Sequence, residues 1–280
     1  MDWSKFINHA RQSRHPGLDP GSRFLFSPTM VISSPLPLKA KLAEGHPFFA
    51  LIEQAYHVFK YPKPTSTEVC QNCCMDRQIE ASFFKPPIRE LPLEYVQDWF
   101  DAAYDPDKGV AKATWAYLLP RLLEILAAGE EPTRIGLEVC LQRFDTGNPT
   151  QWSTKEWEIL DCFQRKFLYQ RVEYAIEFLD DVICMFKLGG WPLDELLAQL
   201  EAAPSEMLAV RLWNDWCGSC LPGLESIWLT TFWQGADSTE MLRFYTSDRL
   251  YAKMEALALG DGVDPAIAAK ASAVAALMRP

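Results

Sequence analysis

Histidine is scarce in this 280-residue chain: four occur, at positions 9, 15, 46 and 57, and none follows His57. That gap removes imidazole acid, base and triad chemistry from most of the sequence. Phosphate-cradling glycine loops are missing too, because Gly189-Gly190 and Gly260-Asp261-Gly262 lack the required spacings and read as helix ends. No apolar run approaches the roughly 18 residues that a membrane span needs. Positive charge is in deficit, with 27 Lys and Arg against 37 Asp and Glu, a net −10. Such a chain repels phosphate, so a basic protein partner is expected and nucleic acid is not. Period-two alternation between hairpin turns is absent as well, which leaves no signal for β-strands.

What is present is apolar and aromatic. Hydrophobic residues make up 49% and ten are Trp, enough for a globular core in one large domain or two small ones. Residues 1–29 differ from the rest. Lys5, Arg11, Arg14 and Arg23 stand against Asp2 and Asp19, a formal +2 that leaves −12 for residues 30–280. The string Ser13–Arg23, SRHPGLDPGSR, resembles the translated product of a dispersed repeat of proteobacterial genomes. It implies a disordered or mis-annotated leader, with Met30 as the initiator and residues 30–280 as one helical domain. Pro28, Pro35 and Pro37 interrupt the only stretch that could serve as a secretory h-region. A cytoplasmic location with reduced thiols is therefore expected.

Helix signals punctuate residues 40–280. Pro47 opens a segment to about Phe59, with Phe48, Ile52, Ala55 and Phe59 on one stripe. A short helix is expected over Asp76–Phe83, stopped by Pro86-Pro87, and another after Pro92 carrying Leu93, Val96, Phe100 and Ala103. Ala111–Ala128 is periodic but must kink or split at Pro120. Ser153 and Glu156 form a capping box, with Trp152 and Trp157 as its hydrophobic staple. The helical pattern then runs to Leu188, long enough that a break is plausible, and Gly189-Gly190 stops it. Pro192, Asp237 with Glu240, and Asp264-Pro265 mark later starts. The expected fold is all-α, an irregular multi-helix bundle or α-solenoid of about ten helices, with a sub-division near 189–192.

Chemistry concentrates at cysteine. Cys140, Cys162 and Cys184 lie in apolar helical patterns and read as small hydrophobes. Cys70-Gln71-Asn72-Cys73-Cys74-Met75 has the spacing that lets two thiolates converge on zinc. A closed site needs four ligands, and the candidates to complete it are Cys217, Cys220 and His57. The alternative is packing of these thiols at a helix start against Phe83 and Phe84. Glu173, Glu177, Asp180 and Asp181 fall on neighbouring turns, a spacing that holds divalent metals in bundles that also supply His. Without His, a solvated acidic face is the expectation.

Two resemblances are carried by named residues. Leu208–Pro222, LAVRLWNDWCGSCLP, resembles the active-site segment of thioredoxins, an apolar strand followed by W-C-G-x-C opening a helix. The resemblance implies a dithiol oxidoreductase with Cys217 as nucleophile and Cys220 as resolving thiol. It covers about fifteen residues, and the strands that a thioredoxin fold needs after the motif have no counterpart, since Ser238–Met278 reads as helices. Read helically, Met207, Ala209, Leu212, Trp213 and Trp216 make an apolar stripe ended by Gly218. The second likeness rests on Val69–Met75, Arg89-Glu90-Leu91-Pro92, Trp99–Tyr104 and Tyr117–Arg121. They resemble an uncharacterised bacterial protein family with a C-x2-CC-M cluster, which implies no activity or cofactor.

Three functions follow as expectations. The first is a non-enzymatic acidic interaction protein, a scaffold or an inhibitor or immunity-type partner of a basic protein. The second is a zinc-stabilised helical protein using Cys70, Cys73 and Cys74 with Cys217 and Cys220. The third is the dithiol oxidoreductase.

Overall fold

Apolar stripes at helical spacing, cut by proline and glycine, fold in the computed structural model into helices alone; no strand occurs among the described residues. The structure describes residues 40–70, 74–105, 107–174, 177–218, 223 and 225–279. The expected leader over residues 1–29 lies outside them, as do Cys73 and Cys220. Among the described residues no helix is long and apolar enough to cross a membrane.

Helix α1, Phe49–Val58, is followed in the chain by α2, Arg77–Ser82. Phe48, Ile52, Ala55 and Phe59 are all buried. Asp76 caps α2 by accepting from the Gln78 and Ile79 amides at 2.9 and 3.1 Å, so an acid and not a thiol starts this helix. Helix α3 runs Leu93–Asp101 behind Pro92. It stops two residues before the end of the expected stripe, and Ala102 is the buried residue while Ala103 is exposed.

Helix α4, Lys112–Ala127, is not split at Pro120. The reason is its surroundings: every residue from Thr114 to Ala127 is buried, and tertiary burial along the whole helix outweighs the one amide bond that proline removes. Trp99 and Trp115 stack on each other at 6.1 Å, and the Trp115 indole donates to the Thr146 hydroxyl at 2.9 Å.

Helix α5, Thr154–Glu173, begins with the capping box. The Ser153 amide donates to Glu156 Oε2 at 2.8 Å, and the Glu156 amide donates to Ser153 Oγ at 3.4 Å. The two rings of the expected staple turn to other partners. Trp152 packs edge-on against Phe59 and Phe144, and Trp157 stacks on Trp191. The long periodic run breaks after Glu173 and resumes as α6, Leu179–Leu188. Gly147 and the Gly189-Gly190 stop meet there. The Gly147 amide donates to Gly189 O at 2.7 Å, and a Cβ on Gly147 would fall 2.3 Å from the Trp191 amide nitrogen. One contiguous core includes residues on both sides of 189–192.

Helices α7, Leu193–Ala202, and α8, Ser205–Trp213, follow. The chain then continues as one π turn, Asn214–Gly218. After a non-helical segment come α9, Asp237–Tyr245, α10, Asp248–Ala258, and α11, Pro265–Met278, the last capped by Asp264 with Pro265 in its first turn. Helix α1 packs on α4 and α5, α5 packs on α6 and α8, and α10 and α11 close on α8.

Two buried arginines tie loop and helix-end carbonyls into this core. Arg121 donates to Leu91 O and Ala40 O and pairs with Glu124 at 2.8 Å. Arg143 donates to the carbonyls of Trp99, Phe100 and Ala102, which α3 leaves open at its C-terminus, and lies over the Trp99 and Tyr104 rings. Burial lowers its affinity for its proton to a pKa of about 10.

Candidate functional site

The helix break after Glu173 separates four acids that the sequence places on one solvated face. Glu173 ends α5, Glu177 lies in the link, and Asp180 and Asp181 stand in the first turn of α6. Carboxylates suit that end of a helix, where free amides point outward. The solvated face does not survive, because Asp180 is only 2% exposed and Asp181 is half-buried. What covers them is the non-helical segment 225–233. Asp180 Oδ2 accepts from the Thr230 amide at 2.7 Å and from the Trp233 indole at 2.8 Å. Asp181 Oδ1 accepts from the Trp228 indole at 3.3 Å. A third acid, Glu138, arrives on the short turn Leu137–Val139 and accepts from the Thr230 hydroxyl.

Three carboxyl groups thus crowd one spot. Burial pushes Asp180 up to about 6 despite its amide and indole donors, and the Tyr245 phenol faces the same carboxylate. Asp180 Oδ1 makes no direct hydrogen bond. For Asp181, burial comes first and the Glu138 charge second, and together they push it up to about 7. The Asp180 charge adds a smaller push in the same direction. Partial burial, then the charges of Glu138, Glu177 and Glu130, raise Glu131 as well. One large ring stands at the edge of this acid group. Trp228, 40% exposed, stacks on Phe178 at 4.5 Å, and Ile135 and Tyr174 are more exposed still.

On the far side of Glu177 lies an open cleft of about 470 Å³, lined by Arg171, Glu173, Tyr174, Glu177, Arg211 and Asn214 among others. Its cations are already engaged. Arg211 pairs with Asp215 at 2.9 Å, and Asp215 Oδ2 also accepts from the Leu179 amide at 3.0 Å, capping α6. Arg171 lies over the Phe167 ring and donates to Leu126 O. The cleft's arginines are therefore structural, and Glu177 is itself paired with Arg171 at 3.7 Å.

Of the sequence-predicted cysteine sites, Cys73 and Cys220 lie outside the described residues. Cys70 is half-buried in the segment before α2, its amide donating to Ala103 O at 2.6 Å. Cys74 is exposed, and the neighbouring Met75 packs inward. Cys217 is half-buried in the π turn against the core. A helix and a π turn, not a strand, lead through Trp216, so the strand of the thioredoxin resemblance is not found. His57 is exposed on the last turn of α1. Among the described residues no group of three or more His, Cys, Asp or Glu side chains is placed to hold a metal ion. Cys140 and Cys184 are fully buried, and burial raises both thiols. Cys140 follows a short turn and not a helix, and Cys162 is exposed on the outer side of α5, contrary to its expected core position.

No family model, curated protein or solved structure matches the chain.

Proposed function

We propose that the chain is a non-enzymatic interaction protein whose acidic, ring-edged face takes a basic segment of a partner protein. The observation that supports this reading is the exposed Glu131, whose carboxyl is raised first by partial burial and then by repulsion from Glu138, Glu177 and Glu130. A lysine or arginine brought to such a face relieves that repulsion, and the exposed Trp228 and Tyr174 rings offer flat surfaces to its stem and charge. The chain's overall −10 would steer a basic partner toward it. The cytoplasm is the compartment we assign, on the grounds of chain length and thiol usage.

A labelled oligo-arginine peptide titrated against the whole protein tests this reading. Binding should weaken sharply between about 0.1 M and about 1 M salt and fall at least about tenfold in Glu131→Lys/Glu177→Lys. Equal binding by the double variant would remove the face from consideration.

A further inference from the structure

We propose that His46 is a pH-sensitive latch on the entry to α1: its neutral ring caps the first turn, and protonation of that ring opens the turn 43–49. The residues that make the latch are not those of the acidic face, so it does not rest on the partner reading above.

Pro47, just before α1, sets up the need for a cap. Proline brings no amide of its own, so the Phe48 amide is the first that needs a partner. Ser, Thr, Asn or Asp commonly supplies an oxygen at this place; here the acceptor is a ring nitrogen. The Phe48 amide donates to His46 Nδ1 at 3.2 Å. The main chain of the same residue completes the turn. The His46 amide donates to Ala43 O at 3.1 Å, and the Phe49 amide to His46 O at 2.9 Å. An imidazole accepts only through an unprotonated nitrogen, and both its nitrogens are donors once the ring is charged. One proton therefore sets a donor against a donor. It also places a positive charge at a helix N-terminus, where the dipole opposes it.

A fixed cation stands beside the ring. The Lys166 ammonium of α5 donates to the Pro47 carbonyl and lies 5.2 Å from the centroid of the Phe48 ring, so the two residues that follow His46 hold it in place. Arg171, farther along α5, adds a second positive charge. Partial burial, then Lys166, then Arg171 keep the proton affinity of the ring below its ordinary value. Among the described residues no carboxylate counters these charges at the ring. Glu53 of α1 is paired with Arg89, Glu124 of α4 with Arg121 and Asp161 of α5 with Arg165, while Glu44 is exposed on the turn itself. The opening is local. The Phe48 ring is fully buried, 5.5 Å from Phe163 and 6.2 Å from Phe167, and stays in the core while the backbone before it loosens.

Hydrogen exchange in the full chain tests the latch. The readout is the Phe48 amide, with rates corrected for the intrinsic pH dependence of exchange. Protection should be level above pH 6.5, the ordinary histidine value. Below it, protection should fall by up to about tenfold per pH unit until the folded ring is itself charged, because opening takes up one proton. His46→Asn keeps a side-chain acceptor that does not titrate, so its protection should stay flat through the same range. A flat profile in the wild type, or an undiminished slope in His46→Asn, overturns the proposal. The wild-type ring gives a second measurement that needs no variant. Its nitrogen NMR shifts should show an unprotonated Nδ1 at neutral pH and a titration midpoint below 6.5. A proton on Nδ1, or a midpoint at or above the ordinary value, overturns it equally.

Discussion

The Thr230 amide and the Asp180 carboxylate, fifty residues apart in sequence, meet at 2.7 Å inside the protein. That bond joins the start of α6 to the segment leading into α9, and the Trp233 indole reinforces it on the same oxygen. Asp180→Ala would leave both buried donors without an acceptor. We expect a loss of about 2–4 kcal/mol in urea unfolding, with Asp180→Asn losing much less because it retains an acceptor oxygen.

The acids of this face give stability an inverted pH dependence. Asp180 and Asp181 have folded values of about 6 and about 7, above the ordinary 3.8. Between the ordinary and folded values the native state binds more protons than the unfolded chain, so stability falls as pH rises through that window and is level above it. His46, whose proton affinity is lowered by burial and then by Lys166, works in the opposite direction. Subtracting the profile of Asp181→Asn from that of the wild type isolates the Asp181 contribution. The difference in melting temperature should change between about pH 4 and about pH 7 and little beyond. A difference independent of pH would refute the assignment.

Trp115 is fully buried, stacked on Trp99 and bonded to Thr146. Trp115→Ala should cost about 3–5 kcal/mol by denaturant unfolding. Trp115→Phe should cost less, retaining most of the packing while leaving the Thr146 hydroxyl without its indole donor.

Arg143 serves three carbonyls with one nitrogen of its guanidinium. Arg143→Lys would not be conservative, because an ammonium group cannot lie flat over the Trp99 and Tyr104 rings as the planar fork does. We expect Arg143→Lys to be destabilised by about 1–3 kcal/mol and Arg143→Met by more, both read from urea midpoints at constant slope.

Gly147→Ala would force a Cβ against the Trp191 backbone at 2.3 Å. The contact is with main chain and not with a flexible side-chain end, so the strain cannot be relieved by a rotamer change. A loss of about 2 kcal/mol or more is expected in thermal unfolding.

Local signals carried most of the fold. The Ser153–Glu156 box and the Asp264-Pro265 start depend only on residues within three of one another, and both stand where the sequence places them. Pro120 shows the limit of that logic: its local penalty is real, but the burial that overrides it comes from helices distant in sequence. The acid face was illegible for the same reason. Asp180 and Asp181 look solvated on α6 alone, and segment 225–233, which buries them, has no periodicity to announce it. Cys162 failed in the opposite way, since an apolar helical neighbourhood does not say which side of the helix a small residue occupies.

The π turn at Asn214–Gly218 carries one more residue per turn than the α-helix it extends. Trp216, 1% exposed and edge-on to Tyr245 at 5.1 Å, lies within that extra turn. Adding or removing a single residue here would change the angular position of Trp216 relative to α8 by up to about 100°, the sweep of one helical residue. Trp216 would swing out of its slot, although no apolar residue had been lost. The segment is thus a phase adjuster: its length, more than its composition, sets where the following chain can dock.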